Sequence, residues 1–304
     1  MPDGQTAIGL IGFGEAGYHI ARGLRGAGAP PLVAFDITAP GGAGDERIRA
    51  RAADTATRLV DSPRALAREA TVILSVVTAA SACEAATSVA PSLTADHLYV
   101  DLNSVSPATK RQIAAAIGTA GRFIEGAIMA PVPGHDHRVP ILLNGPSATE
   151  LLHALEPYGM RLEVMQGPIG AAAAVKMCRS IVIKGMEALL LECTLTADEY
   201  GATERVFDSL AGTYPGIDWR KTARYMIGRV LEHGERRARE MEEVAKTLRD
   251  AGIEPVMAEA TVRRQDWEAT LRREGRLNGP RPDNVDRLLE LLVDRRVAVT
   301  RQPK

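Results

Sequence analysis

The sequence predicts an α/β protein in which a doubly wound parallel sheet is followed by an all-helical domain. Three observations lead to this fold class. In the first half of the 304-residue chain, short apolar runs of strand length alternate with helical stretches, as crossover connections require. After Gly167 the strand patterns nearly vanish. Two very long helical patterns, 171–199 and 219–250, occupy most of the remainder.

The elements of the first domain follow one another in a regular order. Apolar runs bounded by turn or cap residues predict four strands, at 7–13, 31–36, 72–77 and 98–101. The helical stretches between them lie at 16–26, 62–69 and 81–89. Three later runs could extend the sheet, at 123–128, 139–143 and 161–165. Since such crossovers cover both sheet faces, we expect parallel strands with helices on either side.

The change of texture after Gly167 predicts a domain boundary near residue 166. We therefore expect an α/β domain over 1–166 and a helical domain over 167–304. Gly252, directly after the second long helical pattern, is typical of a helix C-terminus. A short helix is predicted at 285–294, in a tail that could pack on a partner subunit.

Composition excludes several functional classes. The 37 basic and 38 acidic side chains leave a net charge of −1, so no excess positive charge is available to hold nucleic acid. No apolar run approaches the roughly 18 residues that a membrane-spanning helix needs. The start of the chain lacks a basic segment before an apolar stretch, and the three cysteines show no CxxC spacing. We therefore expect a cytoplasmic, reducing location without a disulfide framework or a zinc site.

The strongest motif is a glycine-rich turn, Gly12-Phe13-Gly14-Glu15-Ala16-Gly17, between the first strand and the first helix. Gly12 permits a tight turn, Gly14 lets the backbone approach a pyrophosphate, and Gly17 allows close packing of the helix on the sheet. The helix N-terminus offers N–H groups and the positive end of its dipole to phosphates. The motif thus predicts a dinucleotide-binding, Rossmann-type domain. The expected diphosphate contacts are Gly12, Phe13, Gly14, Glu15 and Ala16.

Asp36, at the end of the second predicted strand, has the position of the acid that binds the adenosine ribose. A carboxylate there accepts hydrogen bonds from the ribose hydroxyls and repels a 2′-phosphate. We therefore expect NAD as the cofactor rather than NADP. Two alternatives remain open at this stage: Asp36 only caps the turn, or Arg47, Arg49 or Arg51 folds back toward a 2′-phosphate.

Two further strand ends predict the rest of the site. Val77 and Thr78 follow one buried strand, and we expect them beside the nicotinamide-side ribose. Asn103 and Ser104 follow the next strand and bring an amide and a hydroxyl to the carboxyl edge of the sheet, where ligands bind in such folds. Ser106 has the position of an N-cap for the following helix, a role that is compatible with ligand contacts by its neighbours.

Lys176 is unusual in its setting. Lysine is scarce in this chain, with 6 against 31 arginines, and this one lies in the otherwise apolar first turns of the helix predicted at 171–199. Ser180 and Lys184 follow at four-residue intervals, so the three side chains share one stripe of the helix. The residues alone allow two interpretations: a catalytic lysine, or a lysine at a domain boundary whose head reaches water.

These motifs resemble those of the β-hydroxyacid dehydrogenase family, which includes 3-hydroxyisobutyrate dehydrogenase, tartronate semialdehyde reductase and 6-phosphogluconate dehydrogenase. The family's D-x-S-T-x-S-P stretch corresponds to 101–107. Its G-x-x-G-x-G-x-x-x-K-x-x-N pattern corresponds to Gly167, Gly170, Ala172 and Lys176, with Ser180 near the position of the asparagine. Its K-D-L helix segment resembles 239–241. Segments 184–189 and 233–241 resemble a 6-phosphogluconate-dehydrogenase-like branch whose C-terminal domain has no settled function.

The resemblance implies a Rossmann-type domain followed by an all-α domain, usually assembled as a dimer or tetramer. It implies that Lys176 is the catalytic residue, which takes the hydroxyl proton in oxidation and donates it to the carbonyl oxygen in reduction. The related imine reductases usually carry Asp or Tyr at this position, so the lysine favours hydroxy-acid or carbonyl chemistry. We expect Asn103, Ser104 and Ser180 to orient the substrate, and a homodimer formed through the helical domain.

One departure from the family pattern concerns the substrate carboxylate. Family members usually carry an acid-A-P-V-S-G-G segment whose Ser-Gly-Gly N–H groups hold that carboxylate. Aligned without gaps from Glu125, this chain has Met129-Ala130-Pro131 there, and proline has no N–H to donate. A second register, on 130–134, also lacks the serine. The carboxylate site is thus altered or absent, and Met129 favours a larger, less polar substrate. Candidates for another anion site are Arg179, Lys184 and Arg239.

We therefore interpret the chain as an NAD-dependent oxidoreductase that acts on the CH–OH group of a hydroxy acid or a related carbinol. Two alternatives are an oxidative decarboxylase of a 3-hydroxy acid and a non-catalytic, NAD-responsive binding protein. No metal is expected, because His135 and His137 lie in a loop with no third ligand nearby in sequence. The expected partners are a small-molecule substrate and a second copy of the chain, and neither nucleic acid nor a membrane.

Overall fold

The structure of the protein is a computed structural model that describes residues 7–39, 45–282, 284 and 286–290. The chain divides into two compact units, Met1–Met177 and Cys178–Lys304. The division falls within the long helix Ala171–Glu199, so the first turns of that helix belong to the first unit. The predicted fold class, an α/β sheet domain followed by helices, is confirmed.

An eight-stranded sheet forms the centre of the first unit. Its strands are β1 (Ile8–Ile11), β2 (Val33–Phe35), β3 (Arg58–Leu59), β4 (Val72–Ser75), β5 (Leu98–Asp101), β6 (Arg122–Ile128), β7 (Ile141–Asn144) and β8 (Leu162–Val164). They are arranged in the order β3-β2-β1-β4-β5-β6-β7-β8. The order reverses between β1 and β4, and in open α/β sheets ligands bind outside the carboxyl ends of the strands at such a reversal.

The prediction of a parallel sheet needs one correction. Every neighbouring pair is parallel except β6 and β7, which are antiparallel. The chain passes from β6 to β7 through the loop 129–140 without an α-helix, so it returns beside β6 instead of crossing over the sheet. Strand β3 was not predicted, because its two residues are exposed or half-buried and form no apolar run.

The apolar side chains of the central strands alternate between two hydrophobic cores, one on each face of the sheet. Leu10 and Leu74 lie in one core, and Ile11 and Ile73 lie in the other, all at most 3% exposed. Because helices cover both faces, these strands have continuous apolar sequences instead of alternating ones.

Among the described residues, six α-helices flank the sheet. They are α1 (Glu15–Gly26), α2 (Asp45–Asp54), α3 (Pro63–Glu69), α4 (Ala82–Val89), α5 (Pro107–Ile117) and α6 (Ala148–Leu155). The start of α5 confirms the predicted cap: the Ser106 hydroxyl accepts a hydrogen bond from the N–H of Thr109 at 3.3 Å, and Pro107 is the first helical residue. This cap fixes where the chain leaves the carboxyl edge of β5.

The second unit is helical. Its elements are the rest of α7 (Ala171–Glu199), α8 (Thr203–Thr213), α9 (Trp219–Asp250), α10 (Val256–Gln265) and α11 (Trp267–Arg273). The two long predicted helices are confirmed at both ends. Gly252, with φ +74°, follows the end of α9. At Gly234 a Cβ would lie 2.2 Å from the carbonyl oxygen of Gln265, so α10 packs directly on the α9 backbone.

The tail and the hydropathy of the helices complete the description. Of the short helix predicted at 285–294, residues 286–290 are helical, and 285 and 291–294 lie outside the described residues. Among the described residues, no helix combines the length and the apolar character that crossing a membrane requires.

Candidate active site

The glycine-rich turn joins β1 to α1 and leaves part of its backbone open. Gly12 has φ +89°, and a Cβ there would lie 2.7 Å from the carbonyl oxygen of Val76. A Cβ at Gly17 would lie 2.4 Å from the carbonyl oxygen of Gly12. Gly14 differs, because nothing lies within 4 Å of its missing Cβ. The first and third glycines therefore serve packing, and the second leaves the space that a diphosphate needs.

The backbone N–H groups of this turn fall into two sets. The N–H of Gly12 donates to a β2 carbonyl at 2.8 Å, and that of Phe13 donates to Asp36 Oδ2 at 2.7 Å. The Phe13 side chain is fully buried. The diphosphate contacts predicted for these two residues are therefore not available through their N–H groups. Those of Glu15 and Ala16, in the first turn of α1, have no intrahelical acceptor and remain the predicted donors.

Asp36 braces the turn with both carboxylate oxygens. Beyond its bond from Phe13, it accepts hydrogen bonds at Oδ1 from the N–H of Thr38 at 2.9 Å and from the Thr38 hydroxyl at 2.7 Å. Capping of the turn is thus one part of its role. A carboxylate has about four acceptor positions, so one remains for a ribose hydroxyl. The next residue, Ile37, is 76% exposed and offers no charge to a 2′-phosphate.

Two of the arginines considered for a 2′-phosphate have partners of their own. Arg49 donates to Asp45 at 2.6 Å within α2. The Arg51 guanidinium lies 5.6 Å from the centre of the Tyr18 ring, in cation–π range. These contacts occupy side chains that would otherwise be available to an anion beside Asp36.

Asn103 ties the ends of β4 and β5 together. Its Oδ1 accepts a hydrogen bond from the N–H of Val77 at 2.7 Å, and its Nδ2 donates to Ser75 Oγ at 3.0 Å and to Asp101 Oδ1. The side chain is buried. We expected it to orient substrate in an open crevice. The structure instead uses its amide to hold the Val77–Thr78 segment, since both amide hydrogens already have acceptors. Ser104, the next residue, is half-buried.

A row of buried polar residues crosses four strands near the carboxyl edge. Ser75 pairs in register with Asp101, Asp101 with Glu125, and Glu125 with Asn144. All four are at most 2% exposed. Sequence reasoning did not recognise this row, although each member stands at or near the end of an apolar run. A buried polar residue needs partners, so such positions signal a tertiary contact even when the partner is unknown.

Lys110 of α5 supplies one of those partners. Its Nζ donates to Asp101 Oδ2 at 2.7 Å, to the Asp101 carbonyl oxygen at 2.7 Å and to the Gly126 carbonyl oxygen at 3.0 Å. Lysine has three donor hydrogens, so all of them are used. The side chain is 1% exposed. This ion pair therefore fixes α5 to the strand end that carries Asn103.

The first turn of α7 is hydrogen-bonded to the side chain of Glu125. The carboxylate accepts hydrogen bonds from the N–H groups of Gly170 and Ala173, each at 2.7 Å. Lys176 follows in the second turn and is half-buried, beside the buried Met177. The predicted location of the lysine near the start of this helix is therefore confirmed, while its catalytic role remains a prediction.

Met129 follows β6, at the point where the family pattern has the Ser-Gly-Gly segment whose N–H groups hold the substrate carboxylate. It is half-buried, and its N–H donates to the carbonyl oxygen of Pro140 at 2.9 Å. Pro131 and Pro133, further along the loop, have no N–H. The loop therefore offers a substrate carboxylate fewer backbone donors than a Ser-Gly-Gly segment would.

Two of the three residues predicted for an anion site, Lys184 and Arg239, are engaged in ion pairs, and Arg179 is exposed. Lys184 is buried, and its Nζ lies 2.9 Å from Glu240 Oε2 and donates to Ser180 Oγ at 3.3 Å. Burial lowers the pKa of Lys184, and the Glu240 carboxylate opposes that effect. Arg239 is exposed and pairs with Glu242. The stripe predicted for Ser180 and Lys184 is thus real, but the Lys184 charge is already balanced.

A second buried ion pair lies beside this stripe. Arg237 of α9 donates to Glu187 of α7 at 2.9 Å through Nε and at 2.5 Å and 2.6 Å through Nη2. Gln265 of α10 donates to the same carboxylate at 2.9 Å, and Arg229 lies 3.7 Å from it. Arg237 is the only charged residue of α9 that is buried, because it lies on the side of the helix that faces α7 and α10.

The β6–β7 loop packs on α1 through Asp136 and His137. The loop residue Asp136 accepts a hydrogen bond from His19 at 2.8 Å and another from Arg22 at 2.8 Å. His137 is buried against Gly23, where a Cβ would lie 2.1 Å from its Nδ1. Among the described residues, no group of three or more His, Cys, Asp or Glu side chains could hold a metal ion.

Two family models match this chain. Residues 7–139 match the NAD binding domain of 6-phosphogluconate dehydrogenase. Residues 197–267 match a domain of unknown function, DUF1932. The first match covers the glycine-rich turn, Asp36 and Asn103, and the second covers α8 to α10 of the helical unit.

Solved structures resemble this chain over most of its length. A conserved hypothetical protein from Sinorhizobium meliloti 1021 is 40% identical, with a TM-score of 0.75 over 96% of this chain and 97% of the other. A conserved protein of unknown function, described as structurally similar to 3-hydroxyacid dehydrogenases, is 31% identical, with a TM-score of 0.71 over 88% and 99%. A Mycobacterium tuberculosis 3-hydroxyisobutyrate dehydrogenase with L-serine is 17% identical and shares the fold, with a TM-score of 0.69 over 96% and 99%.

Proposed function

Because the chain belongs to the 6-phosphogluconate-dehydrogenase-like family of hydroxyacid dehydrogenases, with a DUF1932 domain over residues 197–267, we propose that it is an NAD-dependent oxidoreductase. It acts on the CH–OH group of a hydroxy acid or related carbinol, or reduces the matching carbonyl. The observation that carries the proposal is the open backbone at Gly14, which lies at the start of α1. That geometry fits a diphosphate, because a side chain at this position would fill the space.

Lys176 acts as the general acid and base. When bound, the cofactor supplies the acceptor or donor of hydride. In oxidation the neutral amine of Lys176 takes the proton from the substrate hydroxyl. In reduction the ammonium form gives a proton to the carbonyl oxygen as the alcohol forms. The position of the lysine, half-buried in the second turn of α7, supports this role.

NAD is the preferred cofactor. Asp36 keeps one acceptor position for a ribose hydroxyl, and its charge repels a 2′-phosphate. The exposed neighbour Ile37 has no positive charge with which to bind that phosphate. Val77 and Thr78 serve the nicotinamide-side ribose, since Asn103 fixes the segment that carries them.

The substrate contacts fall into two groups. Ser104 and Met129 follow β5 and β6, and the mixture of a hydroxyl and a thioether suits a carbinol with an apolar substituent. Ser180, Lys184 and Arg239 belong to the helical unit. Since Lys184 and Arg239 already have carboxylate partners, they recognise polar substrate groups and do not supply an unbalanced positive charge.

The protein forms a homodimer through the helical unit. Val182 and Leu189 lie one heptad apart on α7 and are 59% and 57% exposed. Large apolar side chains at that spacing form a stripe on one face of a helix, which a second copy of the chain would cover. Light scattering of the purified protein measures the mass, and replacement of both residues by glutamate should shift it to that of a monomer.

A Lys176→Ala variant tests the catalytic proposal. Wild-type protein and variant are titrated with NADH and NADPH, and turnover is measured over a panel of hydroxy acids, aldehydes and ketones. We expect the variant to bind NADH as the wild type does and to lose turnover by about 10²-fold or more. Lys221→Ala, an exposed lysine on α9, is the control and should keep both properties.

Three results would redirect the proposal. Nearly full turnover in Lys176→Ala would remove this residue from the mechanism. Release of carbon dioxide on turnover would identify an oxidative decarboxylase of a 3-hydroxy acid. Tight NADH binding without turnover of any compound would favour a non-catalytic, NAD-responsive protein, an alternative that the loss of backbone donors at Pro131 and Pro133 supports.

A further inference from the structure

A buried carboxylate holds the first turn of α7 in place. Glu125, in the middle of β6, is fully buried. Its Oε2 accepts a hydrogen bond from the N–H of Gly170, and its Oε1 accepts one from the N–H of Ala173, each at 2.7 Å. The first N–H groups of a helix have no intrahelical acceptor, so the carboxylate satisfies two of them. It also lies at the positive end of the helix dipole.

Two neighbouring contacts restrict this turn further. Asn144 of β7 donates to Glu125 Oε2 at 3.2 Å and to the carbonyl oxygen of Pro168 at 2.8 Å. Gly170 has φ +106°, and a Cβ there would lie 2.9 Å from the Cβ of Pro107. The segment before α7 is therefore held on one side by β6 and β7 and on the other by the start of α5.

The row of buried polar residues that contains Glu125 extends along the carboxyl edge of the sheet, where the cofactor is expected to bind. Lys110 bonds to the carbonyl oxygen of Gly126, the residue after Glu125, and to Asp101. Asp101 in turn accepts a hydrogen bond from Asn103, which holds Val77. Buried, fully bonded groups of this kind fix relative positions, because each partner left without its bond would carry a desolvation cost.

We propose that Glu125 is a positioning residue for Lys176, an inference that rests on the proposed function of that lysine. Lys176 lies three residues after Ala173, so the two share one face of the helix. By fixing the turn that contains Ala173, the carboxylate sets the rotation and the height of the helix from which the Lys176 side chain extends. Its negative charge also offsets the positive helix end, which disfavours an ammonium group in the first turns.

The two effects have separate signatures. Loss of position lowers kcat, because a misplaced proton donor or acceptor reacts poorly even when the cofactor is bound. Loss of the charge lowers the pKa of Lys176, because nothing then opposes the helix dipole. Oxidation needs the neutral amine, so the rising limb of its kcat against pH would move to lower pH. A residue that only stabilised the fold would not move this limb.

Glu125→Gln is the main test, because it keeps the shape and removes the charge. The oxygen of the glutamine amide can accept a hydrogen bond from one backbone N–H. Its NH₂ group then faces the other N–H, and two donors cannot bond to each other. We expect kcat to fall by about ten-fold or more, the Kd for NADH to stay within about two-fold, and the rising limb of the oxidation profile to move to lower pH. Glu163→Gln, at the exposed position of β8 in the same sheet, removes the same charge and should leave all three quantities unchanged.

Glu125→Asp separates position from charge and provides a test if the glutamine variant does not fold. It keeps the carboxylate but withdraws it by one methylene group, so kcat should fall while the pH limb stays in place. Wild-type kcat in a folded Glu125→Asp variant, or wild-type kcat and pH limb in Glu125→Gln, would overturn the proposal. Full turnover in Lys176→Ala is a different outcome, because it would refute the function assigned to the lysine itself.

Discussion

The two units of this protein bury their charges in different ways. In the first unit, Lys110 and Glu125 bond largely to backbone groups: two carbonyl oxygens for the lysine and two N–H groups for the glutamate. In the second unit, the buried carboxylate of Glu187 bonds to side chains, those of Arg237 and Gln265. Buried charges that bond to backbone groups fix the course of the chain. Buried charges that bond to side chains join helices to one another.

The difference matches the chemistry that we propose for each unit. A dinucleotide site uses backbone at strand ends and helix starts, so its geometry depends on where the chain runs. The helical unit presents side chains from long helices, so it depends on the registry between helices. A buried ion pair is weak evidence for stability, but loss of one partner leaves an uncompensated charge and is costly.

Lys110→Met should have the largest effect on stability. It leaves the Asp101 carboxylate buried without its ammonium partner, and it also frees the carbonyl of Gly126. We expect the free energy of unfolding to fall by about 3–5 kcal/mol, measured by urea denaturation. Lys221→Met, at an exposed position of α9, should change it by less than about 0.5 kcal/mol. Equal stability of the two variants would contradict the role given to Lys110.

Arg237→Met should cost less than the loss of Lys110. Glu187 keeps the hydrogen bond from Gln265 and the nearby Arg229, so its charge is not left alone. We expect a loss of about 2–3 kcal/mol in the free energy of unfolding. Arg236→Met, one residue earlier and exposed, is the matched control and should have little effect. A larger loss than that of Lys110→Met would reverse the comparison between the units.

Lys184→Met should have the smallest effect at neutral pH, within about 1 kcal/mol, because a methionine avoids the cost of burying the ammonium group. Burial lowers the pKa of Lys184 below its ordinary 10.5. Between the lowered pKa of Lys184 in the folded protein and its ordinary pKa in the unfolded chain, the unfolded chain binds more protons than the folded protein. The stability contributed by this site therefore rises with pH over that range. Urea denaturation between pH 7 and 10 should show the wild type gaining stability relative to the variant. A difference independent of pH would contradict the burial effect.

Local sequence was sufficient for the parts of the protein whose structure depends on near neighbours. The glycines of the turn after β1, the cap at Ser106 and the full lengths of α7 and α9 were all predicted. The antiparallel return of β7 was not, because strand direction depends on how the loop 129–140 closes and not on the strand residues. The engagement of Asn103 with Val77 was missed for a similar reason, since its partners lie on another strand.

By itself the sequence determined the periodicities, the tight turns and the order of elements, because these arise from steric and hydrophobic preferences within a few residues. Only the tertiary structure decided which buried polar groups meet. Glu125 and Ala173 are far apart in the chain and touch because the sheet brings β6 beneath the start of α7. The sequence around a carboxylate does not indicate which amide the carboxylate will bind. Its partner is known only once the strands have their register.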